Sequence, residues 1–130
     1  MKPYEQIFLY QKIAVIGMSP KEHRPSHYVS LYLREEGYSI IPVNPNCNEI
    51  AGERCYASLL DIPSIVETIL VFRRSVHALS ITKQAIQIQA KAIWMQDGVY
   101  SSPAAKLAQE NGLVVVMDDC MLRRHKTMHK

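Results

Sequence analysis

Two short stretches of this chain concentrate its basic side chains beside small residues. GMSPKEHR at 17–24 holds Ser19, Lys21, His23 and Arg24 after Gly17 and Met18, and VFRR at 71–74 holds Arg73 and Arg74 after Phe72. Ammonium and guanidinium groups make charge-assisted hydrogen bonds to phosphate oxygens. Pro25 marks the first turn of a helix, whose unpaired N–H groups favour an anion at the same place. The four cations Lys21, Arg24, Arg73 and Arg74 together therefore point to a polyanionic small ligand. For Arg73 or Arg74 alone, an exposed ion pair with Asp97 or Asp118 is an equal alternative.

Catalytic and metal chemistry is harder to assemble. His23 lacks a paired nucleophile, and Cys120 is more simply an idle thiol than an attacking one. Asp118 and Asp119 read as a polar strand end, and His77 as a surface residue in the first turn of a helix. His125 and His129 are four apart but have no third ligand type beside them. Pro25 separates His23 from His27 by starting a helix between them. Cys47, Cys55 and Cys120 are odd in number and form no CxxC pair, as expected of reduced thiols in a cytoplasmic protein. No catalytic residue and no metal ligand is assigned.

These residues must be held in place by something, and the sequence shows alternation. KIAVIG (12–17), YSIIPV (38–43), VETILVF (66–72), AIWMQ (92–96) and LVVVM (113–117) are short apolar runs of the buried-strand kind. Between them lie helical patterns. The first, 25–37, opens on Pro25 and closes on Gly37, with Val29, Tyr32 and Leu33 inward and Arg34, Glu35 and Glu36 outward. The second, 75–90, has Ser75 as cap and Val76, Leu79, Ile86 and Ala90 inward. The third, 101–112, has Ser102 before Pro103 and Gly112 after its end. Residues 46–65 are irregular apart from a short helical candidate at 58–62. Strand and helix alternating with short links predict an α/β fold: a Rossmann-like, doubly wound, five-stranded, mainly parallel sheet with helices on both faces.

Composition agrees. The 130 residues fit one domain with a core of its own, flanked by an N-terminal extension (1–12) and a basic tail (121–130). Hydrophobic residues make up 48% and charged ones 21%, which excludes disorder. No apolar run is long enough for a bilayer span, and residues 1–12 do not read as a signal peptide. The net charge of +3 comes from a tail holding Arg123, Arg124, Lys126 and Lys130; without them, eleven cations face twelve acids. The tail reads as a solvated, frayed end with room for a last helical turn. The charge gives no support for a nucleic-acid-binding face.

The ligand is narrowed by what is missing. A dinucleotide site wants GxGxxG in the first turn and a carboxylate about 20 residues on. Here the turn has Gly17 alone, and the second strand ends in Val43, Asn44 and Pro45. No P-loop GxxxxGK[ST] occurs. An NADP-type redox domain stays open only because Arg73 or Arg74 offers a partner for a 2′-phosphate.

The run IAVIGMSPKEHRPSHYVSLYLREEGYSIIPVNP (13–45), followed by GERCYASLLDIP (52–63), VFRR (71–74), WMQDG (94–98) and VVVMDDC (114–120), resembles the small single-domain CoA-binding proteins. The resemblance implies a Rossmann-like domain similar to the CoA-binding part of the succinyl-CoA synthetase alpha subunit, with coenzyme A as the cofactor. By it, Gly17, Met18, Ser19 and Lys21 line the phosphates with Arg24 nearby, and Val43, Asn44 and Pro45 line the nucleotide groove. Phe72, Arg73 and Arg74 face the adenine end or a phosphate, and Gln96 and Gly98 sit along the pantetheine path. The expected function is non-catalytic binding of CoA or an acyl-CoA at the carboxyl edge of the sheet. The alternative is a component of an acyl-CoA ligase or transferase, with a homo-oligomer or an enzyme as partner. Asp119 and Leu122 stand where this family often has Arg and Lys, which lowers the pull on anions there. Gln89 stands where it tends to have Gly, and would have to accept a strained helix end.

Overall fold

The β-branched runs become strands, fully buried in the middle of the sheet at Thr68–Val71 and Ala92–Met95 and only partly buried at the edge strand Val114–Val116. A computed structural model describes residues 1–129. Its main strands are β1 (Lys12–Ile16), β2 (Ser39–Val43), β5 (Thr68–Val71), β6 (Ala92–Met95) and β7 (Val114–Val116), with β3 (Glu49–Ile50) and β4 (Glu53–Arg54) forming a separate two-stranded hairpin. The five-stranded sheet is parallel throughout, in the order β2-β1-β5-β6-β7. The chain therefore moves outward from β1 to β2, then crosses back to β5 on the other side of β1. That reversal opens a crevice between the ends of β1 and β5, where ligands of open α/β sheets bind.

Alternation along β1 shows how the two faces are filled. Ile13 and Val15 join one apolar cluster, with Ile7, Val29, Leu33, Trp94 and Met121. Ala14 and Ile16 join the other, with Leu59, Ala78, Ile81, Ala85, Ile93, Ala104 and Ala108. The first face is covered by α1 (Pro3–Ile7), α2 (Pro25–Glu35) and α5 (Met121–Met128). The second is covered by a 3₁₀ turn at Leu59–Asp61, α3 (Ala78–Gln87) and α4 (Ser102–Glu110). The fold class expected from the alternation is the one observed.

Several local expectations need correction. Ser75 does not cap a helix; it lies in a 3₁₀ turn, Ser75–His77, that precedes α3. Its hydroxyl is taken by the neighbouring loop, accepting from the Tyr100 N–H at 2.9 Å and lying 3.3 Å from the Gly98 carbonyl. The inward stripe of α3 is Ala78, Ile81, Thr82 and Ala85, whereas Val76 is 79% exposed. Small residues let α3 and α4 approach closely, so side-chain size misled the reading of that face. Ser101, not Ser102, caps α4, accepting from the Ala104 N–H at 3.2 Å. Arg34 is not simply outward: its guanidinium donates to the Ala51 carbonyl and meets Glu53 at 3.3 Å, tying α2 to the hairpin.

The two chain ends are also more ordered than expected. Residues 121–128 form a helix with Met121 and His125 buried. Arg123 pairs with Asp97 and Asp119, and Arg124 with Asp119. Residues 3–7 form α1, with Ile7 and Phe8 in the core.

Candidate functional site

Gly17 ends β1 with φ +85°, a left-handed conformation that glycine reaches without strain. Its N–H donates to the Val43 carbonyl at 2.9 Å, joining the ends of β1 and β2. A Cβ here would stand 3.0 Å from Cδ and 3.3 Å from Cγ of Arg73, so the Arg73 stem runs directly over Gly17. The loop that follows is fixed by its own side chains. The Ser19 N–H donates to Ser26 Oγ at 2.9 Å, and the Ser19 Oγ accepts from the Lys21 N–H at 3.1 Å. The Ser19 carbonyl lies 2.8 Å from Nδ1 of buried His27. Asn44 Nδ2 donates to the Met18 carbonyl at 2.9 Å. A loop tied at this many points is preorganised, so little order has to be gained on binding.

Two clefts meet at Gly17, one on each face of the sheet. The first, about 470 Å³, is walled by Gly17, Ser19, Lys21, Arg24, Phe72 and Gln96, together with Pro25, Ser26, Tyr28, Val29, Asp97 and Cys120. The second, about 270 Å³, is walled by Gly17, Val43, Pro45 and Arg73, together with Ser58, His77, Ser80 and Gln84 and the apolar Ile16, Ala57, Leu59 and Ile81. The first has the character of a phosphate site. Lys21 and Arg24 are exposed at the start of α2, where Pro25 carries no N–H and the His27 and Tyr28 N–H groups donate to the Arg24 carbonyl at 2.9 and 3.1 Å, which leaves the Ser26 N–H as the first-turn donor free for an anion. Pro25, Tyr28, Val29 and Phe72 add an apolar wall suited to an uncharged arm.

Not every residue singled out from the sequence reaches a cleft wall. The Met18 side chain is fully buried in the core, so only its backbone faces the loop. Asn44 spends its side chain on Met18 and on the Asn46 N–H. Gly98 is exposed and lines neither cleft, its N–H donating to Asp118 Oδ1 at 2.8 Å. Arg74 is exposed and lines neither cleft. Buried Gln96 uses Oε1 to accept the Met121 N–H at 2.8 Å, fixing the start of α5.

Charge on this edge is arranged differently from the sequence expectation. Asp97 and Asp118 do not pair with Arg73 or Arg74. Arg123 grips Asp97 through two bonds of 2.9 Å, and this holds the Asp97 carboxyl below the usual carboxylate range. Asp119 accepts from the guanidinium groups of Arg123 and Arg124 and from the Cys120 N–H. Its negative charge is therefore matched within the loop and does not project alone into the cleft. Tyr28, Ser26 and Val29 were missed because they lie inside a helix. The available signal was their position on its first turn, directly beyond the basic loop. In the second cleft His77, Ser80 and Gln84 were missed as site residues, because the start of α3 was misplaced.

Among the described residues, no group of three or more His, Cys, Asp or Glu side chains could hold a metal ion, and no helix is long and apolar enough to cross a membrane.

Comparison with known proteins places this geometry. Residues 11–126 match the family described as CoA binding domain. An uncharacterized protein of Bacillus subtilis, YneT, is 35% identical over 115 residues, covering 88% of this chain and 85% of that one. An ADP-forming acetate–CoA ligase of Archaeoglobus fulgidus is 36% identical over 67 residues, which are 50% of this chain but only 10% of the ligase. A solved structure of a hypothetical protein from Pyrococcus horikoshii superposes with a TM-score of 0.93 at 39% identity, covering 98% of this chain and 90% of that one. With its sheet order, its basic loop at the β1 end and a match over nearly all its length, the chain belongs to the CoA binding domain family.

Proposed function

We propose that this protein binds coenzyme A or an acyl-CoA, without catalysis of its own, across the carboxyl edge of the sheet. The observation that carries the reading is the convergence of Lys21, Arg24, Ser19 and the first turn of α2 on one cleft. That donor set suits a pyrophosphate, and the apolar wall of Tyr28, Val29 and Phe72 suits the pantetheine arm beyond it. The site residues we assign to the ligand are those on the cleft walls: Gly17, Ser19, Lys21, Arg24, Phe72 and Gln96 in the first, Val43, Pro45 and Arg73 in the second. Met18 and Asn44 act beneath them by holding the loop.

A second reading, a CoA-carrying component of an acyl-CoA ligase, is favoured by the match to part of the Archaeoglobus ligase. Both readings require CoA to bind, and thermal melting tests that. CoA at a hundred times its dissociation constant should stabilise the fold by about 2.7 kcal/mol, with no shift from NAD. Equal shifts from CoA, NAD and NADPH would replace the proposal with generic dinucleotide binding. Replacing Arg73 and Arg74 together by Ala should weaken CoA binding more than it lowers the stability of the free protein. Charge-assisted hydrogen bonds to phosphate contribute roughly 1.5–3 kcal/mol each, and exposed ion pairs about 0–1. Since Arg73 alone lines a cleft, Arg73→Ala should account for most of that loss.

A further inference from the structure

We propose that Cys47 and Cys55 form a reversible disulfide across the β3–β4 hairpin, made by exchange with a low-molecular-weight disulfide, and that this bond loosens the ligand loop through Asn44. The linkage itself is independent of the CoA reading; its effect on ligand binding rests on that reading.

The first ground is a shared acceptor. The Asn44 carbonyl oxygen accepts the Cys47 N–H at 3.4 Å and the Cys55 S–H, with its sulfur at 3.5 Å, so both residues close on one atom. The hairpin joins their backbones as well. Glu49 stands opposite Arg54 and Ile50 opposite Glu53, and the Cys55 N–H donates at 2.9 Å to the carbonyl of Asn48, the residue next to Cys47. A disulfide needs Cα atoms within about 7 Å, a reach that paired antiparallel strands provide. Both side chains pack against the same apolar cluster, and a charge on Cys47 pushes the Cys55 thiol pKa up, as between close neighbours. Cys120 touches that cluster too, but it does not share the acceptor and lies in the wall of the first cleft.

Unequal accessibility assigns the two roles. Cys55 is buried at 7% exposure, and burial raises its pKa further, so it does not attack first. Cys47 is only partly buried, in the turn between β2 and β3. Its thiolate attacks one sulfur of the small disulfide, forming a mixed disulfide and expelling one small thiolate. Cys55 then gives up its proton, attacks the Cys47 sulfur and expels the second small thiolate. Two protein thiols are oxidised and one small disulfide is reduced to two thiols, so the exchange balances with no other reactant.

The third ground is the connection to the site. Asn44 Nδ2 holds the Met18 carbonyl at 2.9 Å, and Asn44 Oδ1 accepts the Asn46 N–H at 2.9 Å. The disulfide removes the S–H donor from the Asn44 carbonyl and draws the 44–47 turn toward Cys55. Asn44 then loses its fixed position against Met18, and the loop at the end of β1 loses order that favours binding.

The test treats wild type, Cys47→Ser and Cys55→Ser with glutathione disulfide, alkylates the remaining thiols, and reads intact mass and a peptide map. Wild type should lose two hydrogens and yield a linked Cys47–Cys55 peptide that dithiothreitol separates. Cys55→Ser should stop at a glutathione adduct on Cys47, and Cys47→Ser should leave Cys55 unmodified. A wild-type adduct that never resolves, or a bond from either cysteine to Cys120, overturns the linkage. CoA is then titrated into wild type and Cys47→Ser before and after treatment. Treated wild type should bind CoA about threefold more weakly, the low end for one neutral hydrogen bond, and Cys47→Ser should not change. An equal change in both proteins assigns the effect to Cys120 and overturns the coupling, as does unchanged affinity in oxidised wild type. If reduced wild type does not bind CoA, the coupling falls with the CoA reading, while the peptide map still decides the linkage.

Discussion

A methyl group at position 17 would meet the Arg73 side chain while the backbone sits at φ +85°, so Gly17→Ala carries two separate costs. The left-handed conformation costs about 1–2 kcal/mol for a residue with a Cβ. The contact at 3.0 Å must in addition push the Arg73 stem aside, and with it the boundary between the clefts. Gly112 makes a useful control, because it shares a positive φ of 81° but has nothing within 4 Å of its notional Cβ. Both Ala variants should lose the backbone cost in urea, Gly17→Ala somewhat more for its contact with Arg73, while only Gly17→Ala should lose CoA-induced stabilisation. Equal CoA responses from the two would show that the Arg73 stem does not shape the site. At this scale the sequence was informative where chemistry and exposure coincide. Ser19, Lys21 and Arg24 sit in a loop, where polar side chains have to face outward. The Met18 side chain fills the core, because one residue of alternation decides whether a side chain lines a loop or a core, and no pattern marks that step past a strand's end.

The helices and strands differ in how much of each was legible, and the cause is the range of the contacts that hold them. α2 declares itself through local signals: Pro25 at its start, Gly37 after its end, and Val29 and Leu33 one turn apart. α5 has few such signals, since its buried members are Met121 and His125 on an otherwise polar and basic stretch. It is held by partners from distant strands. Gln96 accepts its first N–H, Asp97 and Asp119 bind its arginines, and the Asp119 carbonyl accepts from Trp94 Nε1 at 2.8 Å. The β3–β4 hairpin is likewise fixed from outside, by Arg34 and by the Asn44 loop. Gln89 is the element-scale strain that could be read in advance. It adopts φ +61° just past α3, where the family resemblance had pointed to a glycine. Gln89→Gly should therefore raise stability by about 0.5–1 kcal/mol, the left-handed penalty less the entropy that glycine adds to the unfolded chain. A melting temperature unchanged or lowered relative to wild type would refute that account of the helix end.

For the molecule as a whole, the sensitive point is the place where α1, α2 and α5 close on one another around His125. Its ring lies 5.1 Å from that of Phe8, 5.4 Å from Tyr32 and 5.9 Å from Tyr38, and Nδ1 is 2.7 Å from the Tyr32 hydroxyl. Burial pulls the His125 pKa down, the neighbouring His129 pulls the same way, and Glu36 opposes them more weakly. The unfolded chain, with an ordinary histidine pKa near 6.5, therefore takes up a proton before the folded one does. Its contribution to stability is fully present above that value and is lost as pH falls from there through the lowered folded pKa. Urea midpoints should be flat between pH 8 and 7 and decline toward pH 5.5. His125→Phe, which keeps an aromatic ring there, should flatten that decline. A variant with the wild-type slope would assign the acid sensitivity to another group.

That same junction sets an order in time. Arg124 lies over the Tyr4 ring at 4.7 Å and His125 against Phe8, so the first helix of the chain rests on the last. More than a hundred residues separate these partners, and the loop between them closes only when the entire sheet is in place. During synthesis α1 emerges before α5, so Phe8 can meet Tyr38 and Trp94 but lacks its contact with His125 until α5 has followed. The two helices should then behave as one cooperative unit in native-state hydrogen exchange, opening together and at lower free energy than β1, β5 and β6.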